Sequence, residues 1–382
     1  MKEFNPYAYW LSDIKGIGNA TIRVLLKKAY GAEDIYHMSE NDIRMCLSEG
    51  FNRAWEVERK GAAICAAKCL NPVEEAEKLK EKGINFVSIE DSWFPDRLRE
   101  IPDAPYGLYF IGSLPSEKAP SVAIVGARNC SSYGREQARI FAGKCAAYGI
   151  SVISGMARGI DGVAGKAAAE RASCSYAVLG CGVDVIYPYE NKELYDLLKE
   201  RGGIISENAP GTKPKANLFP RRNRLISGLA DAVIVIEARR RSGTIITVDS
   251  ALEQGRDIFA LPGRVCDALS DGCNHLISQG AAIACSPDTV IEHFYGVSDN
   301  GTDLYEQKRK ARNHRREELT GIETVLFDVL GYGDIMETDF LIKRIESIIG
   351  KTIDAEEFTA CMMSLQMRGL AQEIGFGHYK GI

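Results

Sequence analysis

Three patterns of apolar and polar positions follow one another along the chain. Over residues 1–72 the apolar spacing is helical. In LSDIKGIGNATIRVLLKKAYG (11–31), Ile22, Leu25 and Leu26 line one face of a helix that follows a tight turn at Gly16 and Gly18. Such a turn between short helices is the helix-hairpin-helix pattern, whose free amides can hold a DNA phosphate. A helical hairpin that only packs has the same outline. Over residues 73–296 short apolar runs alternate with helical stretches: SVAIVG (121–126), ISVISG (150–155), YAVLG (176–180), GIIS (203–206), AVIVIE (232–237) and DIFALPG (257–263). Continuous apolar strands of this kind predict a parallel sheet covered on both faces, a doubly wound Rossmann-like α/β domain. INFVSIEDSWFPDRL (84–98) predicts a further strand and a connecting arm. Residues 297–316 are polar, charged and without periodicity, as in a linker. Residues 317–382 predict three helices and a hairpin turning at Gly375 to Gly377, a winged-helix-like outline.

Composition narrows the class. The chain has 382 residues, 45% hydrophobic and 26% charged, which predicts two or three globular domains rather than disorder. Its formal net charge of -5 means that any nucleic-acid contact must rest on a local basic patch. No run approaches the length of a membrane span, and the start MKEFNPYAYW lacks the apolar core of a signal peptide, so no membrane partner is expected. Eleven cysteines are scattered with no CxxC pair, the usage of reduced thiols in a cytoplasm, and no metal site is expected. In the last segment the third predicted helix, DAEEFTACMMSLQMR (354–368), opens with Asp354, Glu356 and Glu357. Acids there would repel phosphate, so this segment reads as a protein-interaction module rather than a duplex reader.

The candidate chemistry gathers on one edge of the predicted sheet. Ligands of doubly wound sheets bind outside the carboxyl ends of the strands, where each loop delivers a helix N-terminus that attracts anions. Four loops fall there. VGARNCSSYG (125–134) offers Gly126 and Arg128, with Ser131 or Ser132 as a cap. SGMARGID (154–161) offers Ser154, Gly155 and Gly159 as an amide nest, with Arg158 beside them and Asp161 as a helix-start residue. ENAPGTKPKANLFPRRNR (207–224) carries Lys213, Lys215, Phe219, Arg221, Arg222, Asn223 and Arg224, and EARRRSGTIIT (237–247) carries Arg239, Arg240, Arg241, Ser242, Gly243 and Thr244. Arginines 221, 222 and 224 are expected in the first turn of a helix. There the macrodipole disfavours each cation by about 0.3–1 kcal/mol. Pairing with Glu207 and Asp231 would satisfy one or two of them. The surplus, with Phe219 as a stacking face, predicts an extended polyanion of the single-stranded nucleic-acid type. No GxGxxG and no GxxxxGK[ST] is present, so neither a dinucleotide enzyme nor a Walker-type ATPase is indicated, and no cofactor is expected.

The ordered series GARNCSSYG, SGMARGID, LGCGVDVIYP (179–188), FPRRNRLISGL, RSGTIITVDSALEQGRDIFALPG (241–263) and DGCNHLISQGA (271–281) resembles the DNA-processing protein A family, also called DprA or Smf. The resemblance spans residues 75–295 in detail. It implies a bacterial cytoplasmic protein that binds single-stranded DNA, forms a homodimer through the Rossmann-like domain, and helps load RecA during natural transformation. By motif it implies that Arg128, the 154–161 loop, Phe219, Arg221, Arg222 and Arg224 line the DNA pocket. The family pattern also leaves the role of the C-terminal domain open. A second reading is an enzyme that cleaves the base from a nucleoside monophosphate, holding phosphate at Gly243 and Thr244 with Glu253 on the following helix. No set of nucleophile, base and orienter accompanies them.

Overall fold

The computed structural model describes residues 5–172, 174–296, 316, 319, 321–330, 335–375 and 377–381. They form two compact units, Met1–Phe294 and Tyr295–Ile382. Apart from Arg316, the expected linker at 297–316 lies outside the described residues.

The first unit opens with helices α1 (Pro6–Asp13), α2 (Asn19–Leu26), α3 (Ala32–His37), α4 (Glu40–Gly50), α5 (Ala54–Ala67) and α6 (Pro72–Glu81). Asn5 and Asn71 cap α1 and α6. Each accepts from a backbone amide at 3.0 Å and precedes a proline, whose fixed φ suits the first helical position. Between α1 and α2 the chain turns at Gly16, φ 85°, while Ile14, Ile17, Ile22 and Leu25 point inward. These helices do not close a core of their own. Trp10, Leu11 and Ile64 share one apolar cluster with Phe86, Tyr109, Leu179 and Ile204 of the segment that follows. The change of period near residue 72 therefore marks a change of pattern within one continuous core.

Nine strands follow: β1 (Asn85–Ser88), β2 (Gly107–Gly112), β3 (Ser121–Val125), β4 (Ser151–Ser154), β5 (Ser175–Val178), β6 (Gly202–Ser206), β7 (Ala232–Val235), β8 (Asp257–Ala260) and β9 (Ala282–Ile283). Their order in the sheet is β1-β2-β6-β5-β4-β3-β7-β8-β9. Pairing is parallel from β6 across to β9 and antiparallel between β1, β2 and β6. Helices α7 (Asp96–Arg99), α8 (Ser132–Ala147), α9 (Ile160–Arg171), α10 (Lys192–Arg201), α11 (Leu218–Gly228), α12 (Gly243–Glu253), α13 (Asp271–Ser278) and α14 (Pro287–Tyr295) complete the unit. Alternate strand residues feed two cores. Val122 and Ile124 of β3 join Phe141 of α8 and Ala164 of α9 on one face. Ala123 and Val125 join Leu225 of α11 and Val248 of α12 on the other. That is why these strands read as unbroken apolar runs. The fold is thus the expected mixed α/β architecture, a large and mostly parallel sheet flanked by helices. GLYFIG (107–112) is a strand that the apolar pattern does not announce. It extends the sheet through antiparallel pairing to β1 and β6, and no tight-turn signal links it to either neighbour.

The second unit has helices α15 (Ile322–Leu330), α16 (Thr338–Ile349) and α17 (Ala355–Met367), with strands β10 (Ile335–Glu337), β11 (Ala371–Gly375) and β12 (His378–Gly381). The strands form an antiparallel sheet ordered β10-β12-β11. Leu326, Phe327, Leu341, Ile345, Phe358, Met362 and Leu365 fill its core. Asp354 caps α17, accepting from the Glu357 amide at 2.8 Å. The acids that open this helix are therefore cap and first-turn residues favoured by the macrodipole.

Candidate nucleic-acid interface

The strand order sets where a ligand can enter. The connection from β3 leads through α8 to β4 on one side, and that from β7 leads through α12 to β8 on the other. Between these diverging connections lies the crevice that doubly wound sheets use. Here it is already closed by the chain itself. The Ala127 amide donates to the Glu237 carbonyl at 2.8 Å. The buried Glu237 carboxylate accepts from the Ser131 amide at 2.9 Å and from its hydroxyl at 2.5 Å, at the start of α8. The start of α9 is filled in the same way. Asp161 accepts from the Gly155 amide at 3.0 Å, with the Gly126 amide also directed at it. Two of the helix N-termini that promised anion sites thus hold internal carboxylates. Helix α12 is different: Ser242 makes no cap hydrogen bond, Gly243 is exposed, and no acid stands in the first turn.

Hydrogen bonds tie the loops together. Ile160 donates to the Ala127 carbonyl at 3.3 Å, joining the β3 and β4 loops. Gly159, at φ 73°, is required where they cross, since a Cβ there would lie 2.3 Å from the Ala127 oxygen and 2.4 Å from that of Arg128. Asn223 donates to the Gly243 carbonyl at 3.3 Å, tying α11 to the start of α12. The loop carrying Lys213 and Lys215 is held by Gly182 donating to Thr212 at 2.9 Å and Gly211 donating to Asp184 at 2.7 Å.

Arginine is divided between floor and surface. Helix α11 begins at Leu218, so Arg222 and Arg224 stand in its second turn, a correction to their expected place at the helix start. Arg222 is only 4% exposed. It donates to the Gly155 carbonyl at 2.7 Å and also to that of Val178, beneath the ends of β4 and β5. Burial lowers its pKa to about 10, against the opposing pull of Asp161, so it stays charged at neutral pH. Burial likewise pushes the Asp161 carboxyl up, and Arg222 draws it back. Arg224 pairs with Glu207 at 2.5 Å and Asp103 at 3.1 Å. Asp231, the other acid expected to help, is taken by Arg97 at 2.7 Å. Two of the three α11 arginines are therefore engaged within the protein, and Ser154, Gly155 and Thr244 are buried.

The remaining cations face outward. Lys213, Lys215, Arg221, Arg239 and Arg241 are exposed and make no ion pair among the described residues. Arg240 meets the His275 ring at 3.0 Å. Arg158 pairs with Glu190 at 2.5 Å in the open, an exposed contact of the kind worth little to stability. Arg128 lies over the Phe219 ring, 5.6 Å from its centroid. Among the described residues no three His, Cys, Asp or Glu side chains are arranged to hold a metal, and no helix is long and apolar enough to cross a membrane.

The sequence profile of the DNA recombination-mediator protein A family matches residues 85–295, more than half of the chain. The chain belongs to this family. It is 44% identical over 208 residues to the DNA processing protein DprA of Streptococcus pneumoniae, covering 54% of this chain and 73% of that one. It is 34% identical over 290 residues to the protein Smf of Synechocystis, covering 74% and 71% of the two chains. The X-ray structure of DprA from S. pneumoniae superposes with a TM-score of 0.64 at 34% identity, covering 76% of this chain and 98% of that one. A DprA structure from Helicobacter pylori, described for its single-stranded DNA binding mode, superposes at 0.50 and 28% identity, covering 55% and 95%. The family profile begins at β1, so α1 to α6 lie outside it.

Proposed function

We propose that this chain, as a member of the recombination-mediator family, binds single-stranded DNA across the carboxyl edge of its sheet. The observation that carries this reading is the set of exposed cations that make no ion pair among the described residues: Lys213, Lys215 and Arg221 on the loop before α11 and its first turn, and Arg239 and Arg241 on the loop before α12. Arg128 stands over the Phe219 ring, and the uncapped start of α12 adds free amides. A basic groove with an aromatic face suits a flexible strand whose phosphates and bases are reached together. Family membership supports a role beside RecA in recombination, with the chain acting as a homodimer through the α/β unit. The second unit lies beyond the family match; we propose it as a winged-helix-like module for protein contact on its own residues, the acids Asp354, Glu356 and Glu357 that open α17.

The nucleotide-cleaving alternative is disfavoured by the length of α12. Glu253 is the last residue of a helix that starts at Gly243. At 1.5 Å per residue it sits about 15 Å along the axis from the loop it would have to serve.

Fluorescence anisotropy of a labelled oligothymidylate, titrated across a salt series with wild type and Arg221→Glu/Arg241→Glu, tests the reading. Tight wild-type binding is expected, with a double variant that binds weakly. The slope of log K against log salt should fall by about 0.7 for each phosphate that the variant no longer neutralises. Equal binding by both proteins would overturn this placement of the site.

A further inference from the structure

We propose that Asn191 is a positioning residue, which holds the β4 loop in the form that offers its free amides and Arg158 to a single strand. The proposal rests on the single-stranded DNA reading and names what fixes one loop of that site. Both ends of the loop are anchored. The Gly155 amide donates to Asp161 at 3.0 Å, and its carbonyl accepts from Arg222 at 2.7 Å. Ile160 donates to the Ala127 carbonyl at 3.3 Å. Between these ends Met156 takes φ 51°, the only positive φ outside glycine among the described residues. That left-handed conformation is costly for a residue with a side chain and persists only where the surroundings enforce it. The Met156 side chain is fully buried, in one cluster with Leu179, Cys181 and Val183, and its carbonyl is held by Asn191.

The Asn191 side-chain nitrogen donates to the carbonyls of Met156 and Ala157 at 3.0 and 3.1 Å. Two N–H groups meet two acceptors, so none is left over for DNA. Gly162, in the first turn of α9, makes room for this contact. A Cβ there would lie 2.8 Å from the Asn191 nitrogen and 3.0 Å from the Ala157 oxygen. Asn191 itself stands on a rigid support. It ends a 3-10 turn, Tyr189–Asn191, that runs straight into α10, whose Leu194, Tyr195 and Leu198 are buried. Glu190, one residue earlier, pairs with Arg158 at 2.5 Å, so the same turn meets the β4 loop twice. Three groups are left for an anion. The amides of Ala157, Arg158 and Gly159 donate to no acceptor among the described residues, whereas that of Gly155 is spent on Asp161. Consecutive amides make an anion nest only while the turn keeps its shape. Asn191 therefore acts on the strand through the loop, without touching it.

Full-length wild type, Asn191→Ala and Gly162→Ala are titrated with a labelled oligothymidylate of about 20 nucleotides, longer than the site of a single binding domain. Fragment-resolved hydrogen exchange is followed on the same proteins without DNA. Asn191→Ala removes both donors, and Gly162→Ala pushes the Asn191 amide aside while favouring α9 itself. Neither changes the charge. Asn191→Ala should bind about tenfold more weakly, as for the loss of an amide–phosphate hydrogen bond, and Gly162→Ala a few-fold more weakly. In both, fragments covering residues 154–160 should exchange faster, while those covering β3 and β7 exchange as in wild type. Unchanged affinity in Asn191→Ala would overturn the proposal while leaving single-strand binding intact. So would weaker binding with unchanged exchange at 154–160, since Asn191 would then touch the strand itself. Faster exchange across the whole sheet would also overturn it, because Asn191 would then support only the fold. A wild type that binds no single strand would overturn the functional reading instead.

Discussion

On the inner side of α11, Arg222 lies under the ends of β4 and β5, donates to two backbone carbonyls and faces the buried Asp161. One residue earlier, Arg221 stands in solvent with no ion pair among the described residues. The same side chain thus serves as scaffold and as candidate ligand contact, separated by the roughly 100° that one residue turns a helix. The contrast teaches that a dense arginine motif need not be a dense binding site. Part of its charge is consumed in holding the loops that present the rest. Arg222 fixes the β4 loop, and Arg224 joins α11 to Glu207 and Asp103.

The comparison breaks most sharply at Arg222. Replacement by Met would leave Asp161 uncompensated and two carbonyls unpaired. A loss of about 3–5 kcal/mol is expected, read as a fall in the urea midpoint. If the midpoint stayed within error, the floor assignment would fail. Arg224→Ala should have the next largest effect, about 1–3 kcal/mol, because Glu207 would lose a largely buried partner. Arg221→Glu belongs to the other class. Its stability should change by less than about 0.5 kcal/mol in the same urea titration, while its affinity for single strands drops clearly. The smallest effect falls to Arg158→Ala. Its exposed pair with Glu190 should contribute below about 1 kcal/mol to stability, and a modest decrease in salt slope would show that one phosphate fewer is neutralised. A variant that lost stability at Arg221 and affinity without stability at Arg222 would invert the comparison.

Much of this site is legible in the sequence. The loops GARNCSSYG, SGMARGID and FPRRNR, and the expectation that they meet on one sheet edge, follow from apolar strand runs that end in glycine-bearing loops. Local chemistry governs both features. What the pattern does not separate is exposed from buried members of a single motif. Ser154 and Arg222 read like ligand contacts because their types suit phosphate, yet Ser154 is 1% exposed. Glu237 reads only as the end of a strand, although its carboxylate fills the start of α8.

Sequence alone determined the alternation of strand and helix, the parallel core, and the family to which the series of motifs points, since each rests on residues close together in the chain. Only the tertiary structure decided that the N-terminal helices share a core with the sheet, through contacts such as Trp10 and Leu11 in one cluster with Tyr109 and Ile204. It alone decided which acids neutralise which arginines: Arg97, not an arginine of α11, takes Asp231, from 134 residues away. Pairing of this kind depends on which loops the sheet order brings side by side. That order is fixed by packing between segments far apart in sequence, where no local spacing can record it.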